Sequence, residues 1–262
     1  MPVTDVLRRP LYRLYERRLL AEIKVNPLPR HVGIILDGNR RHGRVNGLTD
    51  PIGIYEPGAR KLDDVLDWCS DLAIPAVTLW VCSTDNLARP PEQVSGILAA
   101  VESKLRALAT DPRIHARRVH VDAIGRLDLL PPGMLEAIAN AKRATAEYGN
   151  LLLTIAIGYG GREEIIDAVR ALLSEHREGT SLEEMIARVT PETLQRYLYM
   201  PHAPDPDLII RTSGEIRLSG FLLWQSAYSE FYFADVYWPD FRKIDLLRAI
   251  RSFQNRNRRF GR

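Results

Sequence analysis

The feature that most constrains the fold is a series of short, almost wholly apolar runs spaced along the chain. They are His31 to Asp37 (HVGIILD), Ile74 to Cys82 (IPAVTLWVC), Val119 to Ile124 (VHVDAI), Leu151 to Ile157 (LLLTIAI) and Asp207 to Ile210 (DLII). Runs of this length without polar alternation mark strands buried on both faces, as in a parallel sheet covered by helices. Between them lie stretches with helical spacing: Gly58 to Cys69, Pro91 towards Leu108, Gly133 to Tyr148, Glu163 to His176, two short helices over 181–199, and Ile244 to about Asn257. Strand and helix in alternation predict an α/β fold, and 262 residues suit a single domain of that class.

Open α/β sheets hold ligands outside the carboxyl ends of their strands. In this chain those ends are polar. The first run delivers Asp37 into Gly38-Asn39-Arg40-Arg41, the second delivers Ser83-Thr84-Asp85-Asn86 and then Arg89, and the last opens into Arg211-Thr212-Ser213-Gly214-Glu215 with Arg217, Ser219 and Gly220 beyond. Guanidinium forks, a hydroxyl and glycines that let backbone N–H groups approach closely are what a diphosphate needs. The bland alternative is that these arginines are solvated or pair with Glu215. Asp37 beside a glycine turn and two arginines can hold Mg²⁺ and a diphosphate together, since Mg²⁺ commonly takes one or two carboxylates plus substrate phosphates. Glu230, inside the aromatic run Tyr228 to Phe233, would be costly to desolvate alone, and a divalent metal would give it a partner.

Other features read as structural. Gly158-Tyr159-Gly160-Gly161-Arg162 lacks the spacing and downstream acid of a dinucleotide fingerprint and is read as a tight strand-to-helix turn. Residues 43–57, rich in Gly, Asn, Asp and Pro, read as a mobile loop long enough to serve as a lid. Asp63, Asp64 and Asp67 spell DDVLD, a match to the Asp-rich motif of the all-helical trans-prenyl synthases, but in a single copy; Leu62, Val65, Leu66 and Cys69 form the apolar face and leave the acids on the wet one.

A formal net charge of +3 does not call for nucleic acid. Cys69 and Cys82 form neither a disulfide framework nor a metal knuckle, which suits a reducing cytoplasm, and no run approaches a membrane span. Residues 1–29 are read as a basic amphipathic helix and linker preceding a domain over 30–262. The helix is expected to pack on that domain with its arginines exposed, although a face of this kind could also rest on an anionic membrane surface.

Taken together, the polar strand exits resemble the cis-prenyltransferases, the family typified by undecaprenyl diphosphate synthase, from His31 to Gly261. The family's Asp-Gly-Asn-x-Arg signature stands as Asp37 to Arg41, its Ser-x-Glu-Asn segment as Ser83 to Asn86 with Arg89, and its Gly-Tyr-Gly-Gly-Arg turn and Arg-Thr-x-Gly-Glu-x-Arg-x-Ser run as residues 158–162 and 211–219. The resemblance implies a six-stranded, mostly parallel sheet flanked by helices, and a Mg²⁺-dependent enzyme joining isopentenyl diphosphate to an allylic diphosphate. By it, Asp37 holds metal and allylic diphosphate beside Gly38, Asn39 and Arg41. Arg211, Arg217 and Ser219 hold isopentenyl diphosphate, Glu230 reaches the metal, and Ser83, Asn86 and Arg89 lie near the reacting centre. A homodimer is implied, with Arg259 and Gly261 reaching the partner's site.

The departures fall at the allylic end. Arg40 replaces a glycine, His42 a tryptophan, Tyr55 a histidine, Asp85 a glutamate and Leu87 a tryptophan, and the lid segment lacks its usual arginine. Arg40 can restore that charge. The Tyr55, Leu87 and loop features resemble the short-chain actinobacterial branch, which makes (2Z,6E)-farnesyl diphosphate from geranyl diphosphate. Val81, two residues before Ser83, is expected to narrow a product channel, with Trp80 on the other side of the strand. The rival readings are a long-chain synthase feeding a lipid carrier and a non-catalytic partner subunit; such subunits lack the aspartate and signature turn present here.

Overall fold

The structure, a computed structural model, describes residues 3–175 and 181–256. Its elements in chain order are α1 (Val3–Ile23), β1 (His31–Ile35), α2 (Asn39–Val45), α3 (Pro51–Asp71), β2 (Ala76–Ser83), α4 (Thr84–Leu87), α5 (Pro91–Leu108), α6 (Pro112–Arg117), β3 (Val119–Ile124), α7 (Pro132–Ala144), β4 (Leu151–Tyr159), α8 (Gly161–Ser174), α9 (Leu182–Arg188), α10 (Pro191–Gln195), β5 (Leu208–Arg211), β6 (Glu230–Phe233) and α11 (Lys243–Asn255). The strands form one sheet in the order β3-β4-β2-β1-β5-β6, and every pairing is parallel. The expected apolar runs supply β1 to β5. The sixth strand, β6, is a half-buried edge strand and carries no comparable run.

Strand β1 lies where the strand order reverses: β2 and its neighbours extend to one side and β5 and β6 to the other. Ile35 registers with Trp80 of β2 and with Arg211 of β5, so the residues that follow β1, β2 and β5 emerge at one end of the sheet. That is the position at which such sheets bind ligands.

Side chains alternate between two cores. Val32, Ile34, Val77, Leu79, Leu153 and Ile155 pack against the helices of one face, and Ile35, Trp80, Tyr159, Ile209 and Phe221 form a smaller aromatic-rich cluster on the other. Leu19 and Ile23 of α1 are fully buried in the larger core, and Arg13, Arg17 and Arg18 are exposed. The N-terminal helix is thus docked on the domain as expected. None of the described helices is long and apolar enough to cross a membrane.

Two expectations change. The proposed lid over 43–57 is mostly helix: α2 runs to Val45, and α3 begins at Pro51, where the Asp50 side chain accepts a hydrogen bond from the Gly53 N–H at 2.5 Å. Proline is suited to a first helical position, and Pro57 lies inside α3 rather than ending it. Nor are the DDVLD acids merely solvated. Asp63 pairs with Lys104 of α5 and, at 3.4 Å, with Arg113 of α6, and Asp67 pairs with Arg117 at 3.2 Å.

The loop that follows β5 is held from below by a buried carboxylate. Glu164 on α8 accepts hydrogen bonds from the Tyr159 hydroxyl at 2.5 Å, the Tyr199 N–H at 2.9 Å and the Gln225 amide at 3.0 Å. Burial raises its pKa against the pull of those donors. Removing the acceptor leaves several buried donors unsatisfied. Glu164→Ala is therefore expected to cost about 3 kcal/mol of stability, read as a lower urea midpoint at unchanged slope; a loss below about 1 kcal/mol would remove this carboxylate from the account of the loop.

Candidate active site

The exits of β1, β2 and β5 enclose a cleft of about 540 Å³. Its lining includes Asp37, Gly38, Asn39, Arg40, Arg41, Tyr55, Val81, Ser83, Asn86, Arg89, Arg211, Arg217 and Ser219. The residues singled out in the sequence at those exits are thus brought together on one wall or another of a single concavity.

Its centre is an ion-pair network. Arg211, 5% exposed, donates from Nη2 to Asp37 Oδ2 at 2.9 Å and from Nη1 to Ser219 Oγ at 2.7 Å. Arg41 donates from Nη2 to Asp37 Oδ1 at 3.1 Å and to Ser213 Oγ at 2.7 Å, and from Nη1 to Glu215 Oε1 at 3.2 Å. Burial alone would raise the Asp37 pKa, but Arg211 and Arg41 outweigh it and hold the carboxyl below its ordinary value. Asp37 is therefore an anion throughout the neutral range. Arg217 pairs with Glu215, the alternative foreseen for the arginines of this segment, while still lining the cleft.

The backbone is shaped for close approach. Ser213, Gly214, Ser219 and Gly220 all have positive φ, of 80°, 74°, 53° and 93°; left-handed serines are strained, and such strain gathers at functional loops. Gly38 has φ of 106°, and a Cβ there would meet the Tyr237 ring at 2.7 Å, so both backbone and space require glycine.

Another region of the cleft carries cations without counter-ions. Among the described residues Arg40, Arg44 and Arg89 have no acidic partner within salt-bridge distance; Arg40 donates to Gln93 Oε1 on α5 at 2.8 Å. Between them, the buried Tyr55 hydroxyl has no hydrogen-bond partner. Burial raises the Tyr55 pKa, against which the Arg40 and Arg89 charges act. Ser83 and Asn86 form a capping box on α4, with the Asn86 N–H donating to Ser83 Oγ at 3.1 Å, so some of their hydrogen-bonding capacity is structural.

Below the mouth an apolar pocket of about 60 Å³ opens between α3 and α5. Leu36, Asn39, Tyr55, Val81 and Ile97 line both spaces. Val81 packs towards the larger core and Trp80 stacks on Phe221 in the other, their rings 5.3 Å apart, as the strand period requires.

Glu230 is a correction. It opens β6, where it registers with Leu208 and through β5 with Val32, so it lies at the opposite end of the sheet, five residues short of Asp37 and two strands across. At about 3.3 Å per residue and 4.8 Å per strand, it is some 15 to 20 Å from that carboxylate. It accepts a hydrogen bond from Arg256 Nη1 at 2.6 Å instead, and within one chain it shares no metal with Asp37. No cluster of three His, Cys, Asp or Glu side chains suited to a metal occurs among the described residues. A Mg²⁺ ion fits this cleft only in the manner of one carboxylate, Asp37, completed by substrate oxygens. Arg259 and Gly261 lie outside the described residues. Sequence reasoning placed Ser213 at the β5 exit without giving it a role, and missed Arg44 and Tyr237, whose ring lies 5.7 Å from the Arg41 guanidinium.

Comparison with known proteins gives a consistent result. Residues 35–261 match the family model described as "Putative undecaprenyl diphosphate synthase". The isoprenyl transferase of Deinococcus radiodurans is 54% identical over 94% of this chain and 90% of its own length. The (2Z,6E)-farnesyl diphosphate synthase of Thermobifida fusca is 52% identical over 98% and 99%, and the geranylgeranyl-diphosphate-specific tritrans,polycis-undecaprenyl-diphosphate synthase of Methanopyrus kandleri is 52% identical over 97% and 92%. Among solved structures, lavandulyl diphosphate synthase from Lavandula x intermedia, in complex with dimethylallyl diphosphate, superposes with a TM-score of 0.81 at 31% identity, covering 90% of this chain and 99% of that one. With its wholly parallel sheet, the arginine-bound Asp37 at the strand reversal and a family match over most of its length, the chain belongs to the undecaprenyl diphosphate synthase family and is a cis-prenyltransferase.

Proposed function

We propose that the enzyme condenses isopentenyl diphosphate with a short allylic diphosphate, geranyl diphosphate, and releases (2Z,6E)-farnesyl diphosphate. The observation that carries this reading is a cleft with two separate sets of cations opening onto a small apolar pocket. Arg211, Arg217 and Ser219 suit one diphosphate, and Arg40, Arg44 and Arg89, with the unpartnered Tyr55 hydroxyl, suit a second, while Arg41 joins the two through Asp37. Two anions side by side require several cations, and this cleft supplies them.

In this reading the alkene of isopentenyl diphosphate attacks the allylic C1 and the C1–O bond breaks. Diphosphate departs with the electron pair, and a proton leaves C2 of the isopentenyl unit to set the Z double bond. Charge that develops on the departing diphosphate meets preformed guanidinium groups, which is usually the strongest lever on such a barrier. Mg²⁺, bound through Asp37, would neutralise some of that charge. Of the two carboxylates in the cleft lining, Asp37 is taken up by its arginines and Asp85 lies on the short helix after β2; in this reading the departing diphosphate takes the proton. Asn86 and Ser83 border the place where the two substrates meet.

The smallness of the apolar pocket supports a short product over a long one. An apolar cavity of about 150 Å³ takes a single benzene ring, and the pocket here is about 60 Å³. Relatives of equal identity carry both short-chain and long-chain names, so the short-chain reading rests on the pocket and not on them. A homodimer, which would be needed to bring a second chain's Glu230 or C-terminal segment near the cleft, and contact of the exposed α1 arginines with an anionic membrane belong to this proposal as well.

Incubation with Mg²⁺, labelled isopentenyl diphosphate and, separately, C5, C10 and C15 allylic diphosphates tests the assignment. A C15 Z-product from the C10 substrate is expected, whereas long polyprenyl products would overturn the chain-length assignment. Asp37→Ala should lower kcat/KM by about 10²–10³-fold or more while circular dichroism is unchanged. Val81→Ala, which widens the junction of cleft and pocket, should shift the distribution towards longer products. The ordinary Asp pKa is about 3.9 and that of Asp37 in the folded protein is lower, so its ion pairs contribute stability in full above pH 4 and lose it as the pH falls through the folded value. Asp37→Asn should accordingly reduce the urea midpoint at neutral pH and flatten its decline in acid.

A further inference from the structure

The apolar pocket beneath the cleft has one charged wall. Its lining from α5 is Ile97, Ala100, Val101 and Lys104, a spacing that keeps all four on one helix face, and its lining from α3 is Tyr55, Gly58, Ala59 and Leu62. Ile97 and Tyr55 also line the cleft, so both helices run downward from the mouth. Lys104 lies seven residues below Ile97, and Asp63 eight below Tyr55. At about 1.5 Å per residue, each is some 10 to 12 Å from the mouth. At that depth Lys104, which lines the pocket, pairs its ammonium with the carboxylate of Asp63, the residue after the pocket-lining Leu62, and so ties α5 to α3. Both are largely buried, with side-chain exposures of 15% and 21%. Asp63 is held further by Arg113 at 3.4 Å.

We propose that the Lys104–Asp63 ion pair is the floor of the product pocket and sets the point at which chain growth stops. The lysine stem can line apolar space while its head is fixed at the bottom. A growing prenyl chain that reached the pair would have to separate the ammonium from the carboxylate against a hydrocarbon tail that solvates neither, and burial of unpaired charge is strongly unfavourable. The chain is thus arrested by an electrostatic boundary as well as by volume. This assignment rests on the prenyl-elongating reading above and adds to it the residues that limit elongation. It also gives the first acid of the DDVLD segment a role, as a piece of the wall against which the hydrocarbon ends and not as a metal ligand.

The test compares product length in wild-type enzyme, Lys104→Leu, Lys104→Arg and Asp63→Asn, each supplied with the C10 allylic diphosphate, Mg²⁺ and excess isopentenyl diphosphate, with products resolved by chromatography and mass spectrometry. Lys104→Leu and Asp63→Asn should each raise the ratio of C20 and longer products to C15 at least tenfold, because the first removes the ammonium and the second releases it. Lys104→Arg, which keeps the pair, should preserve the wild-type length. An unchanged distribution from folded, active Lys104→Leu or Asp63→Asn enzyme overturns the floor, as does equal lengthening by Lys104→Arg. Absence of any Z-prenyl product from the wild-type enzyme would instead overturn the catalytic reading on which the floor depends. Thermal unfolding of each variant checks that the comparison is made on folded protein, and Asp63→Asn carries the test if Lys104→Leu does not fold.

Discussion

A carboxylate held between two guanidinium groups at the end of β1 is the interaction on which the site depends. Asp37 is half-buried and Arg211 almost fully so, and each would be costly in that place without the other. Their bond joins the exits of β1 and β5, and the second arm of Arg211 reaches the Ser219 hydroxyl and the Arg217 carbonyl, which fixes the left-handed loop. Arg41 adds Ser213 and Glu215 to the same network. Arg211 and Arg41 are therefore already aimed at one anion, the protein's own. A diphosphate entering this cleft meets donors whose positions are set by internal contacts, so little ordering is left to be done when it binds.

That preorganisation has a second layer behind it. The loop carrying Arg217 and Ser219 is seated on Trp80, Tyr159 and Phe221, packed ring against ring, and the Gly161 N–H donates to the Gly220 carbonyl at 3.0 Å. The Gly158 to Arg162 segment thus acts on the site indirectly. Its glycines admit the loop, and Glu164 anchors the aromatic and amide groups beneath it.

Most of this is legible in the sequence for one physical reason: strands buried on both faces must be continuously apolar, so the polar residues that interrupt them fall at strand ends. Asp37, Ser83 and Arg211 can be placed at one end of a sheet on that ground. The same logic fails for Glu230, because β6 is a short edge strand and begins at this residue instead of ending there. The segment over 43–57 misleads because Gly, Asn and Pro weigh as breakers, whereas Asp50 and Pro51 start a helix. The partners of the DDVLD acids are beyond reach as well. Lys104, Arg113 and Arg117 are brought to α3 from α5 and α6 by the packing of those helices, and no local pattern announces them.

Helix α3 links the cleft to the apolar pocket. Its first turns present Tyr55 to the cleft, among the unpaired arginines, and two turns further on it carries Asp63, the partner of the pocket-lining Lys104. Because one continuous helix carries both, the distance between the anion-binding mouth and the charged floor is set by helical rise and does not depend on loop conformation. Pro51 suits the first turn of α3, and Leu62, Val65 and Leu66 lock the lower portion into the core. A ruler built this way changes length only when its end marker is moved.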